Sequence, residues 1–230
     1  MRKLLVGLVV LVVLLAVADR VAAAYANRRL AAQVKTELEL QQDPTVGVHG
    51  IPFLTQALRG RYSDVRVRIP DYDSGPLQNI VIDARLQGVR APLGDVLNGR
   101  LDDVPVDKIT GDLTIGYDDL ARASGISGLR IAREGDTLRV SGSVTVLGRQ
   151  VDAVAVGRVE VKGNDIQITA EQAQVEGVEL PRTAIDLANR ALSFAVSPRS
   201  LPLALRITNV RTEPDALVVS AESEKAVLSR

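Results

Sequence analysis

The sequence predicts an α+β fold built on a long antiparallel sheet, and three observations predict it. Segments of alternating apolar and polar residues follow one another over most of the chain. Short turns of Gly, Asn and Asp join them, and strands connected so tightly pair antiparallel. Single-turn helical stretches rich in Leu and Ala interrupt these strands, and two longer segments, Asp19–Gln41 and Pro181–Ala195, repeat apolar residues at helical spacing. No linker, low-complexity tract or heptad run divides residues 19–230, which therefore read as a single domain.

At the N-terminus, Arg2 and Lys3 precede an uncharged apolar run from Leu4 to Ala18, and Asp19 is the first charge after it. This is the pattern of a secretory signal, with Ala16-Val17-Ala18 fitting the small-x-small cleavage rule and a second candidate site in Ala22-Ala23-Ala24. The run is short against the roughly twenty residues of a typical membrane span, which favours a cleaved signal. Val21–Ala24 prolongs its apolar character, which leaves a retained N-terminal membrane anchor as the alternative. Either reading places the rest of the chain outside the cytoplasm. In the helix that follows, Val21, Ala24, Tyr25, Leu30, Val34 and Leu38 define the expected apolar face, and Asp43-Pro44 ends it.

Next comes the most idiosyncratic stretch, Val46–Tyr62. It reads as a strand end, a Gly50-Ile51-Pro52 turn and a short helix with Pro52 at its first position, Phe53, Leu54, Ala57 and Leu58 on one apolar face, and Gly60 as terminator. A period-two strand follows, with Val65, Val67 and Ile69 on one side and Asp64, Arg66 and Arg68 on the other. Asn79–Val89 is a strand. Ala91-Pro92 opens a short helix that buries Leu93, Val96 and Leu97 and closes at Gly99. Val104–Ile115 is strand-like, and Tyr117–Ala123 is a helical turn between Gly116 and Ser124-Gly125. A meander then runs through Leu129–Arg133, Thr137–Leu147, Val151–Val161 and Asp165–Val175, with residues that tolerate positive φ, such as Gly135, Gly148 and Gly163, in its turns. The helix Pro181–Ala195 presents Ile185, Ala188, Leu192 and Ala195, and strands Leu203–Asn209 and Ala216–Ala221 flank a Glu213-Pro214-Asp215 turn.

Composition excludes several classes. Formal charge is balanced across the 230 residues, so no global pull toward nucleic acid or an anionic surface arises. Four Tyr, two Phe and no Trp leave almost no material for base stacking, and Val, Leu, Ile and Ala must fill the core. With no Cys there are no disulfides, no thiolate chemistry, no Cys-type zinc site and no lipid anchor on an N-terminal cysteine.

The run Gly50-Ile51-Pro52-Phe53-Leu54-Thr55-Gln56, followed by Gly60-Arg61-Tyr62, resembles the opening signature of an actinobacterial envelope family of formerly unknown function that includes the mycobacterial lipomannan elongation protein. The likeness covers about Ala22 to the C-terminus, and the Pro-Phe-Leu-Thr-Gln run is its distinctive part. It implies a tubular lipid-binding fold, in which a strongly curved antiparallel sheet wraps the long N-terminal helix. It also implies an exported, periplasmic or envelope-located protein that binds or transfers a phospholipid or another membrane lipid, supports lipoglycan biogenesis and catalyses nothing. The implied partners are lipid, a membrane surface and an envelope glycosyltransferase, with no cofactor and no nucleic acid. The resemblance carries over to Pro52, Phe53, Leu54, Gln56 and Gly60 alone.

Nucleotide-binding, zinc-protease and nucleophile-elbow motifs are absent: Ser127, in Gly125-Ile126-Ser127-Gly128, has the wrong spacing for the last. The single histidine, His49, lies beside a turn glycine and reads as exposed or capping. Asp102-Asp103 and Asp118-Asp119 read as solvated loop or helix-start pairs, and no calcium-loop spacing occurs. A lipid site could draw on Pro52, Phe53, Leu54 and Leu58 as apolar lining or bilayer-inserting groups, and on Arg59, Arg61, Arg66 and Arg68 as phosphate partners. Ordinary core packing and solubilising edge charge account for the same residues. Aliphatic strands with small interior residues, such as Gly142 and Gly157, fit either a bent sheet around acyl chains or a closed core. Two other classes stand beside a lipid carrier: an anchored scaffold that recruits an envelope-biosynthesis enzyme, and a hydrolase with an unfamiliar site around His49.

Overall fold

The computed structural model describes residues 2–98, 103–146, 148–163, 165–175, 181–196 and 205–228. The fold is α+β, with a long N-terminal helix and two antiparallel sheets. Where the sequence reads as one long sheet, the strands divide into a six-stranded sheet ordered β1-β2-β3-β4-β11-β10 and a five-stranded sheet ordered β5-β6-β7-β8-β9. The chain forms two compact units. Unit 1 comprises residues 1–70, 83–111 and 223–230, and unit 2 comprises 71–82 and 112–222.

Unit 1 starts with α1 (Arg2–Glu37), one uninterrupted helix about 54 Å long at 1.5 Å per residue. It is long and apolar enough to cross a membrane, and the side chains from Leu4 to Ala18 are exposed. It ends four residues short of the expected Gln41, where Leu40 N–H donates back to Lys35 O and Glu39 takes a positive φ of 50°. The expected apolar face needs correction. Val21 and Tyr25 are exposed (64% and 59%), as is Leu38, and the face that packs is Asp19, Ala23, Ala26, Leu30 and Val34. Two polar side chains set this rotation. Asp19 Oδ1 accepts from Leu54 N–H at 2.7 Å, and Asn27 Oδ1 accepts from Val48 N–H at 2.9 Å, so α1 is bonded to both segments that follow it.

Those segments are β1 (Thr45–His49) and α2 (Phe53–Arg59). Pro52 is the N-cap of α2, one position earlier than expected, and offers no capping side chain, so Asp19 supplies that role from another helix. Gly60 closes α2 in the left-handed conformation (φ 61°) as expected, and a Cβ there would stand 3.2 Å from Ala91 O and Pro92 Cα. Gln56 explains its place in the signature. Its Oε1 accepts from both Ser63 N–H (3.0 Å) and Ser63 Oγ (3.2 Å), while its Nε2 donates to His49 O, fastening α2 between β1 and β2. Then come β2 (Arg61–Ser74), β3 (Leu77–Arg90), α3 (Leu93–Asn98) and β4 (Val104–Gly116), with α3's expected burial of Val96 and Leu97 and its stop at Gly99 lying outside the described residues. β1 pairs antiparallel with β2 from Thr45↔Arg68 to His49↔Asp64.

Unit 2 holds the largest contiguous core. α4 (Tyr117–Ala123) forms where expected and buries Tyr117, Leu120 and Ala121. The meander appears as β5 (Arg130–Glu134), β6 (Thr137–Val146), β7 (Arg149–Lys162) and β8 (Asp165–Val175), in antiparallel register throughout. Of the two interior glycines, only Gly157 marks a close approach. A Cβ there would fall 2.7 Å from Val140 Cγ2 and 3.2 Å from Leu138 Cβ, whereas one at Gly142 would meet ordinary contacts at 3.5 Å. α5 (Arg182–Leu192) lays Ala184, Ala188 and Leu192 on this sheet. The β7–β8 ladder shifts register between Val154 and Val156. Nearby, Ala173 N–H donates to Asn189 Oδ1 and Ala170 N–H to Ser193 Oγ, both at 2.9 Å. Ala195, expected on the helix, is exposed in a short strand, β9 (Phe194–Val196), because the helix ends where Ser193 Oγ turns to Asn189 O. β10 (Arg206–Thr212) and β11 (Ala216–Leu228) complete the chain, β11 running seven residues past its expected end.

Candidate functional site

An apolar cavity of about 150 Å³ lies wholly within unit 1. α1 contributes Ala26, Arg29, Leu30 and Val34 to its wall, β1 contributes Val46 and Val48, and α2 contributes Phe53. From the six-stranded sheet come Tyr62, Val65 and Val67 of β2, Leu86 and Val89 of β3, Val104 of β4 and Leu228 of β11, with Ala91 and Leu93 closing the β3–α3 corner. The alternation of β2 delivers Val65 and Val67 to the cavity and turns Arg66 and Arg68 to the other face.

Among the described residues lining the cavity Arg29 is the one that is charged; it is exposed, so it marks the edge where the wall meets solvent. Among the described residues it makes no ion pair and no side-chain hydrogen bond. Phe53 and Tyr62 are the two aromatic wall residues, 4% and 5% exposed, with ring centroids 6.3 Å apart at an interplanar angle of 32°. Tyr62 OH has no hydrogen-bond partner among the described residues, and burial pushes its pKa up from the ordinary phenol value.

The sequence-derived candidates scatter around this cavity. Phe53 alone of the eight lines it. Leu54 is half-buried and spends its N–H on Asp19, while Pro52 is exposed. Leu58, expected on the apolar face of α2, is 80% exposed, and so is neighbouring Ile51 at 75%. Arg66 pairs with Asp64 at 3.3 Å, and Arg68 with Asp83 at 3.1 Å. Arg85 also reaches Asp64, at 2.8 Å, which holds that carboxyl below the usual carboxylate range. Arg59 and Arg61 are exposed and make no ion pair among the described residues. The wall residues that sequence reasoning missed are Tyr62, Arg29 and the valines of β1. The apolar periodicity of the segments that carry them is visible in the sequence, but periodicity is the same for a filled core and for a cavity.

Elsewhere, His49 is exposed, with Nδ1 3.0 Å from Gly47 O. Asp119 pairs with Arg122 and accepts from Asn79 Nδ2, Asp118 is exposed, and Asp102 lies outside the described residues. Two more open hollows in unit 2, about 480 Å³ beside Ser127 and about 560 Å³ beside Gln172 and Gln174, have mixed polar and apolar walls. Among the described residues, no group of His, Asp and Glu is placed to hold a metal ion.

The Asp19 carboxylate joins α1 to the cavity-forming segments. Hydrogen bonds from the Leu54 and Phe53 backbone N–H groups, the former the stronger, hold its pKa below the ordinary value. A lowered carboxylate pKa stabilises the fold above the unfolded value of about 3.9, and that contribution is lost as pH falls through the lowered pKa. Asp19→Ala should therefore lower Tm by several degrees at pH 7. The gap from the parent protein should close as thermal melts are taken to lower pH, below that range; a gap constant with pH would contradict the assignment.

Walls of aliphatic and aromatic side chains with one cation at the edge make a site of the kind that holds a hydrophobic ligand. The profile of the LmeA-like phospholipid-binding family matches residues 17–222, and the chain belongs to that family. Membership supports lipid as the ligand class. No curated protein and no solved structure matches the chain.

Proposed function

We propose that the protein is an exported, non-catalytic phospholipid carrier of the cell envelope, which holds acyl chain in the unit 1 cavity and serves the assembly of lipid-anchored glycans. One observation carries the reading: within a phospholipid-binding family, this chain has an apolar cavity whose edge bears an arginine, Arg29, that makes no ion pair among the described residues. Each methylene moved from water into such a cavity contributes about 0.8 kcal/mol. A cavity of about 150 Å³ admits a group the size of benzene, whereas a whole drug-sized ligand fills about 300 Å³ or more. Loading therefore proceeds chain-end first, and the walls spread to take the remainder. Residues 1–18 direct the chain to the membrane, as a signal that is removed or as an anchor that stays; the intact mass of the exported protein separates the two. Residues 19–230 act as one functional domain.

Arg29 takes the phosphate in this reading, with Arg59 and Arg61 as further cations on exposed backbone. Arg29→Glu should weaken binding of phosphatidylglycerol about fivefold or more at low salt, and the loss should shrink at high ionic strength. The overall test is uptake of a pyrene-labelled phospholipid from donor vesicles. Monomer emission rising with protein concentration to saturation supports a carrier. No uptake at any concentration would refute it and favour an anchored scaffold for an envelope enzyme.

A further inference from the structure

We propose that the Tyr62 hydroxyl donates a hydrogen bond to an acyl-ester carbonyl of the bound lipid, so that the cavity selects ester-linked over ether-linked chains. The inference rests on the lipid-carrier reading and assigns the polar contact inside that site. Tyr62 is 95% shielded from solvent, lines the cavity, and leaves its hydroxyl without a partner among the described residues. Native proteins rarely leave a buried donor unmet, so an orphan in the wall of an apolar cavity points to a group that an entering ligand brings. Among the described residues the remaining wall supplies no side-chain acceptor. It is aliphatic apart from Phe53, whose ring packs on Tyr62, and Arg29, whose guanidinium only donates.

The partner must combine an acceptor oxygen with apolar substituents. The carbonyl of a fatty acyl ester does so, because one of its sides continues as the hydrocarbon that the valine and leucine walls accommodate. An ether oxygen at the same place is a weaker acceptor and lacks the projecting carbonyl. Burial also raises the phenol pKa, so the group remains a neutral donor at physiological pH.

The test is displacement of pyrene-labelled diacyl phosphatidylglycerol from the full chain by unlabelled diacyl or dialkyl phosphatidylglycerol of equal chain length. Wild-type protein should prefer the diacyl competitor about fivefold to tenfold, the worth of one hydrogen bond in a dry site. In Tyr62→Phe the two competitors should become equivalent, the diacyl affinity falling to the dialkyl level. The variant should melt at the same temperature as wild type or higher, since it loses an unpaired hydroxyl. Equal displacement by both lipids from wild type, or a preference that survives in Tyr62→Phe, overturns the proposal and leaves the carrier reading standing. Failure of the labelled lipid to bind wild type at all overturns the carrier reading, and this inference with it.

Discussion

Ala26→Phe should reduce lipid uptake at least tenfold while the chain stays folded with an unchanged or higher Tm. Ala26 is 8% exposed on the packed face of α1 and forms part of the cavity wall. A phenyl group added there is the size of guest that an apolar space of about 150 Å³ accepts, so it occupies the volume an acyl chain would take. The substitution separates a cavity from a filled core by the sign of its effect on stability. In a filled core, inserting a ring forces strain costing about 1–3 kcal/mol, a fall of roughly 2–4 °C in Tm per kcal/mol for a chain of this size. In a cavity the ring gains contacts. Ala24→Phe, two residues away on the exposed side of the same helix, serves as the control and should leave uptake unchanged. Fluorescence uptake and a thermal melt on each variant complete the comparison. Loss of uptake accompanied by a large fall in Tm would argue against the cavity.

Leu138→Ala should have the largest effect on stability, about 2–5 kcal/mol, without changing the lipid affinity of the folded protein. Leu138 is fully buried in the unit 2 core and pairs with Gly157 across the β6–β7 ladder. With glycine opposite there is no side chain to relax into the space vacated, which places the cost in the upper half of that range. Against a typical total of about 5–15 kcal/mol, this is enough to bring the unfolding midpoint close to working temperature. None of the described residues lining the cavity belongs to unit 2, so affinity corrected for the folded fraction should stay within about twofold of wild type. Urea titration gives the first quantity and lipid displacement in the absence of denaturant the second.

Much of the architecture was legible from local chemistry. The helix Tyr117–Ala123 has the residues and ends its pattern implies, Gly60 terminates α2 in the conformation its lack of a side chain permits, and the meander turns fall where glycines of positive φ occur. These features are decided within a few residues of themselves. The rotation of α1 was not legible, because it depends on Asp19 meeting a backbone N–H 35 positions later, and in sequence that aspartate is only the first charge after an apolar run. Alternation likewise marks a strand without naming its partner, so the division into two sheets, with β11 between β4 and β10, is a tertiary choice. The helical pattern ran one residue set too far at Ala195, since Leu192 and Ala195 keep helical spacing; Ser193 decides otherwise by bonding to Asn189 O and Ala170 N–H.

The candidate site was half visible for a similar reason. The signature located the α2–β2 corner, and Phe53 within it does line the cavity. Charge alone could not sort the arginines. Arg66 and Arg68 are committed to carboxylates, Asp64 of β2 and Asp83 of β3, and the cation at the cavity edge is Arg29, from a helix whose sequence shows only its apolar stripe. Tyr62 belongs to the signature, but its unmet hydroxyl is a property of what surrounds it.

Native mass spectrometry with lipid extraction, on the full chain purified from a membrane-containing host, tests the central claim most directly. The account predicts a mass increment equal to one phospholipid on a large fraction of molecules, the same lipid in the organic extract, and loss of both in Ala26→Phe. A bare mass for wild type, with no lipid in the extract and none taken up on incubation, would contradict it.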